Sequence, residues 1–410
     1  MSFSQFPLAE PLLEAIKLLG FSQATEIQQL AIPAILANQD ILASAQTGTG
    51  KTAGFGLPIL QCLLDDEKRL NESASLAPVR ALILVPTREL ALQVHAAIVS
   101  YGQLTSLTAG IVYGGVSIEA QQAKLSQGVD LLVATPGRLL DHLRRGSLSL
   151  GHLKHLVFDE ADRMLDMGFK DEIQAVVAQL PTKRQTMLFS ATLDESVLAL
   201  SSTLLNAPKR LEVGQTNSAS QDIEQRVYAV DSDKKFALLS HLIVTGNWQQ
   251  VLVFSRKKVA ADKLAERLSA SGISANAFHG DLSQGNREAV LNGFKQGEIS
   301  VLVATDVAAR GIDINSLNYV VNYELPFVAE DYVHRIGRTG RAGNKGVAVT
   351  LFCEEDALLL EEVEVLLDKR LPQQWLPGFE PDLTKMSLSG KNSQSAQKRR
   401  AKQRGRRGKR

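Results

Sequence analysis

A segment close to the N-terminus has the residue types and the spacing of a phosphate-binding loop. Residues 45–52 read AQTGTGKT, directly after a short apolar run and before a stretch with helical periodicity at 53–64. The two glycines let consecutive backbone N–H groups surround an anion at the helix N-terminus, Lys51 supplies a positive charge for the outer phosphates, and the Thr52 hydroxyl can ligate Mg2+. Ala45 stands where such loops usually begin with glycine. A plain glycine turn before a helix is the alternative, but the Gly-Lys-Thr register favours nucleotide binding.

A second segment places three carboxylates within four residues. The apolar run 156–158 is followed by Asp159, Glu160 and, after one alanine, Asp162. Open α/β sheets bind ligands at the carboxyl ends of their strands, and carboxylates this close repel one another unless a cation or a base accompanies them. We therefore expect Asp159 to hold Mg2+ through its water shell and Glu160 to orient or deprotonate the water that attacks the γ-phosphate. An ordinary acidic helix start is the alternative, but the position of the cluster after a strand and downstream of a phosphate-binding loop favours a functional role.

Arginines recur at three-residue spacing in the second half of the chain. Residues 334–341 read HRIGRTGR and contain Arg335, Arg338 and Arg341. The spacing predicts guanidinium groups on one side of a helix start, where they could bind a phosphate bidentately. A solvated basic face is the alternative, and the intervening isoleucine and glycines argue against it because they favour close packing. If two domains close face to face, Arg338 and Arg341 become arginine fingers on the phosphate held by Lys51.

Three further segments have side chains suited to a nucleic-acid backbone. They are residues 86–90 (PTREL), Gly114-Gly115 and residues 135–138 (TPGR). Hydroxyls, arginines and glycine N–H groups contact phosphate and sugar oxygens, whereas side chains that read bases are scarce here. Aromatic residues form 5% of the chain and none lies among these segments, so base stacking is not favoured. Each segment alone could be a turn or a cap, but together they predict sequence-independent binding.

The elements that would position these residues alternate between short apolar runs and amphipathic stretches. The predicted strands are 41–43, 81–85, 110–113, 130–134, 156–158, 186–189, 251–254, 301–304, 319–323 and 347–352. The predicted helices are 53–64, 89–101, 171–180, 257–271 and 286–295. This alternation predicts an α/β fold with parallel sheets that are flanked by helices.

The pattern occurs twice along the chain. Residues 131–138 (LLVATPGR) and 301–306 (VLVATD) resemble each other, which suggests two copies of one fold whose equivalent strand ends face the same ligand. The polar stretch 212–221 lacks periodicity and is typical of a flexible connector. The predicted organisation is an N-terminal domain at 1–211, a linker at 212–221, a C-terminal domain at 222–371 and a low-complexity tail at 372–410.

Composition excludes several classes of protein. The chain has 410 residues, of which 44% are hydrophobic, and this is enough for two or three globular domains. Its two cysteines, Cys62 and Cys353, match no disulfide framework or zinc-ligand spacing. The N-terminus does not resemble a signal peptide, and no apolar run approaches the roughly 20 residues that cross a bilayer. These features predict a cytoplasmic protein without a membrane segment.

The charge is distributed unevenly. Residues 383–410 contain eleven Lys and Arg and no Asp or Glu, which leaves 34 basic against 44 acidic residues in the rest of the chain, a net charge of −10. The basic clusters are spaced by Gly and Gln and contain no aromatic residue. We expect this tail to be disordered and to contact phosphates without sequence preference; a solubilising terminus is the alternative.

The ordered series of segments resembles the motifs of the DEAD-box ATP-dependent RNA helicases of superfamily 2. The matching segments are 20–28 (GFSQATEIQ), 45–52, 86–93, Gly114-Gly115, 135–138, 159–162 (DEAD), 190–192 (SAT), Gln284 with Arg287, 305–313 and 334–341. The match extends from Phe3 to Leu371, and residues 113–118, 246–250 and 321–326 are most similar to the bacterial RhlE-type branch. One departure is Ala24, where the family usually has proline, and we expect it to change nucleotide affinity only slightly.

The resemblance implies two tandem RecA-like domains and ATP with Mg2+ as cofactors. The implied catalytic residues are Lys51, Asp159, Glu160, Arg338 and Arg341, and the implied Mg2+ ligands are Thr52 and Asp159. The implied nucleotide-binding residues are Phe3, Phe21, Gln28, Thr47, Gly48, Thr49, Gly50, Lys51, Thr52 and Asp313. Within this set Gln28 would read the adenine edge and Asp313 would contact the ribose.

The resemblance also implies an RNA track and a coupling mechanism. The track would grip one strand through phosphates and 2′-hydroxyls with Arg88, Gly115, Thr135, Arg138, Arg256 and Thr305. Hydrolysis would be coupled to strand separation by Asp162, Ser190, Thr192 and His334. By their chemistry alone, the serine and threonine of this set form only a polar strand end.

The sequence thus predicts an ATP-dependent RNA helicase in which ATP and RNA draw two domains together around a bent single strand. One alternative is a DNA translocase of the same superfamily. Contacts to 2′-hydroxyls, which DNA lacks, would distinguish an RNA helicase from it. Another is an RNA chaperone that anneals strands through its basic tail and uses ATP only as a switch. RNA is the predicted partner, ribosomal precursor particles or RNA-decay machinery are compatible with it, and the physiological RNA is left open.

Overall fold

The computed structural model describes residues 1–45, 48–67, 78–213, 223–309, 314, 317–340 and 346–382. The described residues form two compact units, 1–213 and 223–382. In the described part of the chain no helix is both long and apolar enough to cross a membrane.

The first unit is a parallel sheet of seven strands in the order β3-β4-β2-β5-β6-β1-β7. The strands are β1 (Ile41–Ala45), β2 (Ala81–Leu84), β3 (Ala109–Val112), β4 (Leu131–Ala134), β5 (His155–Asp159), β6 (Gln185–Ser190) and β7 (Lys209–Val213). The helices are α1 (Glu10–Leu18), α2 (Glu26–Leu36), α3 (Lys51–Glu67), α4 (Arg88–Gly102), α5 (Ile118–Leu125), α6 (Pro136–Arg144), α7 (Ala161–Asp166), α8 (Lys170–Val177) and α9 (Glu195–Leu204). A short 3-10 turn, Phe3–Gln5, precedes α1.

Alternating side chains of these strands enter two separate apolar cores. Ile83 of β2 packs with α1 to α4 on one face, whereas its neighbours Leu82 and Leu84 pack with α5 to α9 on the other. Because both faces are covered, the central strands are continuous apolar runs, which is why hydrophobicity alone locates them in the sequence.

The second unit is also a parallel sheet of seven strands, in the order β10-β11-β9-β12-β13-β8-β14. The strands are β8 (Ile223–Ala229), β9 (Val251–Phe254), β10 (Ala275–Phe278), β11 (Val301–Ala304), β12 (Tyr319–Asn322), β13 (Gly346–Phe352) and β14 (Gln373–Gln374). The helices are α10 (Lys235–Thr245), α11 (Lys258–Ala270), α12 (Gln284–Lys295), α13 (Asp306–Ala309), α14 (Ala329–Ile336) and α15 (Ala357–Leu367). One face packs against α10 and α11, and the other against α14 and α15.

The second sheet repeats the strand order of the first when every strand number is raised by seven. The similar segments 131–134 and 301–304 are β4 and β11, which occupy equivalent positions in the two sheets. The predicted fold class, two α/β domains of the same design, is therefore confirmed.

Every predicted strand overlaps an observed one, but four strands were not predicted. The edge strand β7 exposes three of its five residues, all polar, β8 carries polar residues among its apolar ones, β10 is the short run ANAF, and β14 has two residues. These four strands are not continuous apolar runs like the central strands. Only their backbone pairing with a neighbouring strand identifies them as strands.

The domain limits also differ from those expected. The predicted boundary after residue 211 falls inside β7, because Glu212 and Val213 pair with Ser44 and Ala45 of β1. At the other end, the fold continues past residue 371: β14 pairs with β8, and the Asp382 N–H donates to Asp231. The remainder of the predicted linker, residues 214–221, and the basic tail from residue 383 lie outside the described residues.

Candidate nucleotide and nucleic-acid sites

The predicted phosphate-binding loop connects β1 to the N-terminus of α3. Gly48 and Gly50 both have a φ of 90°, a left-handed conformation that side chains rarely tolerate. Lys51 and Thr52 are the first two residues of α3, where backbone N–H groups and the helix dipole favour an anion. Thr47, also predicted to bind the nucleotide, lies outside the described residues.

A buried ion pair lies beside this loop. The Lys51 Nζ is 3.5 Å from Asp159 Oδ1 at the end of β5, and the two side chains are 5% and 4% exposed. Within the described part of the chain, neither atom has a hydrogen-bond partner. Burial raises the pKa of Asp159 to about 6, with Lys51 opposing and Glu160 reinforcing the shift. Buried polar atoms that lack partners, together with the Thr52 hydroxyl, fit a triphosphate and its Mg2+.

The neighbouring carboxylate, Glu160, is held differently. Its backbone is left-handed, with φ 59° and ψ 53°, at the N-cap of α7. Its Oε2 accepts a hydrogen bond of 2.6 Å from Arg163, and both side chains are 4% exposed. The sequence analysis predicted that a cation or a base would accompany the three carboxylates, but it did not identify Arg163. The i,i+3 spacing of Arg163 from Glu160 could have indicated this pair.

The third carboxylate, Asp162, connects two predicted motifs. Its Oδ2 accepts hydrogen bonds from the backbone N–H groups of Ala191 and Thr192, both at 3.1 Å, and from the Thr192 hydroxyl at 3.3 Å. Ser190 at the end of β6 is fully buried, and its Oγ has no hydrogen-bond partner among the described residues. Of the predicted coupling residues, the first unit thus brings Asp162 and Thr192 into direct contact.

Gln28 links the N-terminal helices to the phosphate-binding loop. Its Oε1 accepts from the Thr25 N–H at 2.9 Å, forming the N-terminal cap of α2, and its Nε2 donates to the Gly50 carbonyl at 3.0 Å. Phe3 is buried and its ring centroid lies 6.1 Å from that of the partly exposed Phe21. The amide of Gln28 therefore connects the N-terminus of α2 directly to the loop.

Replacing Gly50 by alanine should disturb this link. A Cβ at Gly50 would lie 2.5 Å from the Gln28 Nε2, so the Gln28 amide would have to move. The positive φ of Gly50 would also strain the backbone of an alanine at this position. We expect KM for ATP to rise at least about tenfold, equivalent to ~1.4 kcal/mol. Gly168→Ala is the control, because its φ of 85° imposes similar strain but nothing lies within 4 Å of the added carbon. An unchanged KM in Gly50→Ala would contradict the proposed link.

The predicted RNA contacts of the first unit follow three adjacent strands. Arg88 follows β2, Gly115 follows β3, and Thr135 with Arg138 follows β4. The Arg88 guanidinium lies 4.6 Å from the centroid of the Tyr113 ring. Arg138 donates to the Val116 carbonyl at 2.9 Å, which fixes the loop that contains the glycine pair. The predicted RNA contacts follow strands β3, β4 and β2, and the candidate nucleotide residues lie at strands β5, β6 and β1. Because all of these strands are parallel, both sets lie at the carboxyl ends of the same sheet.

In the second unit, Arg256 and Thr305 follow the neighbouring strands β9 and β11. Arg256 donates to Asp356 at 2.6 Å and to the Leu325 carbonyl, and its guanidinium lies 4.7 Å from the centroid of the Phe327 ring. Phe327 is 59% exposed. Sequence reasoning did not identify Asp356 or Phe327, since both are distant from Arg256 along the chain.

The arginine-rich segment differs from the prediction. The three arginines were expected at a helix start, but α14 ends at Ile336, so that prediction is wrong. Two acidic residues in the first turn and two basic residues in the last, followed by glycine, are the helix-end signal that should have decided it.

Arg335 is bound by side chains of its own unit. It is 1% exposed and binds both carboxylate oxygens of Asp306, at 2.6 and 2.7 Å, while also donating to Asn322. Arg338 lies just beyond the helix and is buried, and the side chain of His334 is 3.9 Å from Asp331. The predicted residues Arg341 and Asp313 lie outside the described residues.

Comparisons with known proteins show which families the chain is similar to. A family model described as DEAD/DEAH box helicase matches residues 25–200, and one described as Helicase conserved C-terminal domain matches residues 234–343. The ATP-dependent RNA helicase DbpA of Bacillus subtilis is 41% identical over 88% of this chain and 74% of its own length. The DEAD-box ATP-dependent RNA helicase CshA of Geobacillus kaustophilus is 40% identical over 93% of this chain and 80% of its own.

Solved structures agree with these relatives. Dbp5 of S. cerevisiae, bound to RNA and ADP BeF3, has a TM-score of 0.81 and 31% identity, and the match covers 97% of this chain and 99% of that one. The DEAD-box helicase Mss116, bound to ssRNA and UDP-BeF, has a TM-score of 0.82 and 28% identity, covering 93% of this chain and 80% of that one.

Proposed function

The chain belongs to the DEAD-box family of ATP-dependent RNA helicases and uses ATP to unwind or remodel RNA, and we propose how its residues divide that work. The observation that supports the proposal most directly is the buried pair of Lys51 and Asp159, whose polar atoms lie between a glycine-rich loop and a strand end. The relatives of known structure bind RNA together with a nucleotide analogue.

In the first unit, Lys51 and the N–H groups of the loop bind the outer phosphates of ATP. Thr52 and Asp159 would hold Mg2+, which when bound would supply positive charge against the phosphate oxygens. Glu160 orients the attacking water and accepts its proton. Gln28 contacts the adenine. Phe3 and Phe21, whose rings lie 6.1 Å apart, contribute to the same nucleotide site.

The second unit completes the reaction. Arg338 and Arg341 stabilise the charge that develops on the γ-phosphate when the two units close on ATP and RNA. Each ligand favours closure only by as much as it binds the closed state better than the open one. Domain closure is coupled to RNA separation by the contact of Asp162 with Thr192. Ser190 and His334 take part in the same coupling.

RNA lies on the strand ends of both units. Arg88, Gly115, Thr135 and Arg138 bind one part of the strand, and Arg256 and Thr305 bind another. Their arginines, hydroxyls and backbone N–H groups suit phosphates and 2′-hydroxyls rather than bases, so binding is independent of sequence. We expect the closed state to accommodate a bent single strand but not a straight A-form duplex, so that one strand is expelled.

Stimulation of ATP hydrolysis by RNA and by DNA of the same sequence tests this proposal against a DNA translocase. We expect RNA to raise the rate of hydrolysis and single-stranded DNA to leave it near its basal value, because DNA lacks the 2′-hydroxyls. Equal stimulation by both would contradict the assignment of RNA as substrate.

The basic tail should affect RNA binding without affecting catalysis. Replacing its eleven Lys and Arg by Gln should raise the RNA concentration for half-maximal hydrolysis at least about threefold, since a tether raises local concentration. The maximal rate should stay nearly unchanged. The wild-type protein at matched ionic strength is the control, because phosphate contacts depend on salt. A collapsed maximal rate with normal RNA affinity would contradict the role of a tether.

The finer assignments depend on the sequence alone. We propose the RhlE-type branch, a cytoplasmic location, and ribosomal precursor particles or RNA-decay machinery as partners. Crosslinking the protein to RNA in its own cells tests the proposed partners, because the recovered RNAs identify the pathway.

A further inference from the structure

An arginine with no assigned role is paired with the proposed general base. Arg163 NH1 donates to Glu160 Oε2 at 2.6 Å, and neither side chain is more than 4% exposed. A surface pair of this kind would contribute little to stability, but a buried arginine and carboxylate depend on each other because neither can be hydrated in place of its partner.

The backbone makes this contact specific. Glu160 adopts the left-handed conformation at the N-cap of α7, and Arg163 follows one turn later in a helix of six residues. A residue other than glycine in this conformation is held there by its surroundings. The pair therefore fixes the direction of the Glu160 side chain relative to β5 and the first turn of α7.

The neighbouring charges explain why a cation is needed at this position. Asp159 on one side of Glu160 has Lys51 at 3.5 Å, and Asp162 on the other side accepts from the Ala191 and Thr192 N–H groups. Within the described residues, Asp159 thus lies beside a lysine, Asp162 accepts from backbone N–H groups, and Glu160 accepts from Arg163. Removing Arg163 would take away a hydrogen-bond donor that opposes the repulsion of Glu160 by its two acidic neighbours.

We propose that Arg163 is a positioning residue for hydrolysis, which holds the Glu160 carboxylate in the orientation that receives the proton of the attacking water. Arg163 is 3% exposed, and in this proposal it acts through Glu160 and not on ATP or RNA directly. The inference rests on the proposed role of Glu160 as the base. A purely structural ion pair is the competing interpretation, and it predicts equal losses in folding, binding and turnover.

Arg163→Met tests this proposal in the full-length protein with saturating RNA. We expect kcat for ATP hydrolysis to fall at least about tenfold, because general-base catalysis depends on geometry. KM for ATP, and RNA affinity with a non-hydrolysable ATP analogue, should change less than about twofold. Arg163→Lys should recover part of the rate. The control is Arg145→Met, which removes an exposed pair with Glu119 of 3.2 Å and should leave every parameter unchanged.

The double variant Glu160→Gln/Arg163→Met separates the interpretations and leaves no buried carboxylate without its partner. If Arg163 acts through Glu160, the kcat of the double variant should equal that of Glu160→Gln, because the effects of two substitutions in one functional unit are not additive. A further fall in kcat would overturn the proposal. So would a wild-type kcat in Arg163→Met when Glu160→Gln is inactive. Wild-type hydrolysis in Glu160→Gln would instead refute the role of Glu160 itself.

Discussion

Glu160→Gln is expected to abolish RNA unwinding and to slow ATP hydrolysis by about 10²- to 10⁴-fold, the usual contribution of a general base. The amide has the shape of the carboxylate and can still accept the hydrogen bond from Arg163, but it cannot take a proton from water. RNA affinity in the presence of ATP should be retained, because binding and closure precede hydrolysis. Strand displacement, phosphate release and fluorescence anisotropy with labelled RNA measure the three effects on one sample.

Glu195→Gln is the matched control for this experiment. Glu195 is an exposed residue in the first turn of α9, and the same substitution there removes a helix-start carboxylate without touching the site. Its hydrolysis and unwinding should equal those of the wild type. Unwinding by Glu160→Gln at the wild-type rate would contradict the proposed mechanism, and simultaneous loss of RNA binding would indicate a structural role for Glu160.

Lys51→Ala is expected to remove ATP-dependent activity at an earlier step. The substitution deletes the buried cation beside Asp159 and leaves the carboxylates to face the phosphates of ATP alone. Truncating one partner of a buried, hydrogen-bonded charge pair across a binding interface costs about 2–5 kcal/mol. Lys51 forms such a pair with the phosphates in our proposal, so ATP affinity should fall by well over an order of magnitude and unwinding should be lost. Titration with a fluorescent ATP analogue, alongside strand displacement, measures both.

The control is Lys170→Ala, because Lys170 is likewise the first residue of a helix but is exposed. It should bind ATP and unwind RNA normally. RNA binding without nucleotide should also survive in Lys51→Ala, since it does not use the ATP site. If Lys51→Ala rearranged strands as well as the wild type, the protein would be an RNA chaperone in which ATP serves at most as a switch.

Much of the fold could be predicted because central parallel strands are buried on both faces. Runs such as 251–254 and 301–304 are apolar at every position, and their predicted limits equal those of β9 and β11. Edge strands lack this signal. In β7, the three residues Lys209, Arg210 and Glu212 are exposed, so only pairing with β1 defines the strand.

The site was predictable where consecutive residues carry the chemistry. The glycine loop, the three carboxylates and the residues after β2, β3 and β4 are local patterns, and the strand order brings them to one edge. Their individual roles stay predictions. The family and its RNA helicase activity, in contrast, are confirmed by relatives that match most of the chain.

Contacts between distant residues could not be predicted from one sequence. Gln28 and Gly50 are 22 residues apart, and Arg335 and Asp306 are 29 apart. Spacing alone put Arg335 with the phosphate-binding arginines, but a buried guanidinium is most stable where two carboxylate oxygens match its planar fork. The packing of α14 against the sheet supplies that partner, and the sequence pattern does not encode it.

Separation of a short RNA duplex tests the central claim, that ATP drives strand separation, most directly. The wild-type protein should displace one strand of the duplex with ATP and Mg2+ and should fail to do so with ADP or without nucleotide. The same extent of separation without nucleotide would contradict the claim, because the energy would then come from RNA binding alone.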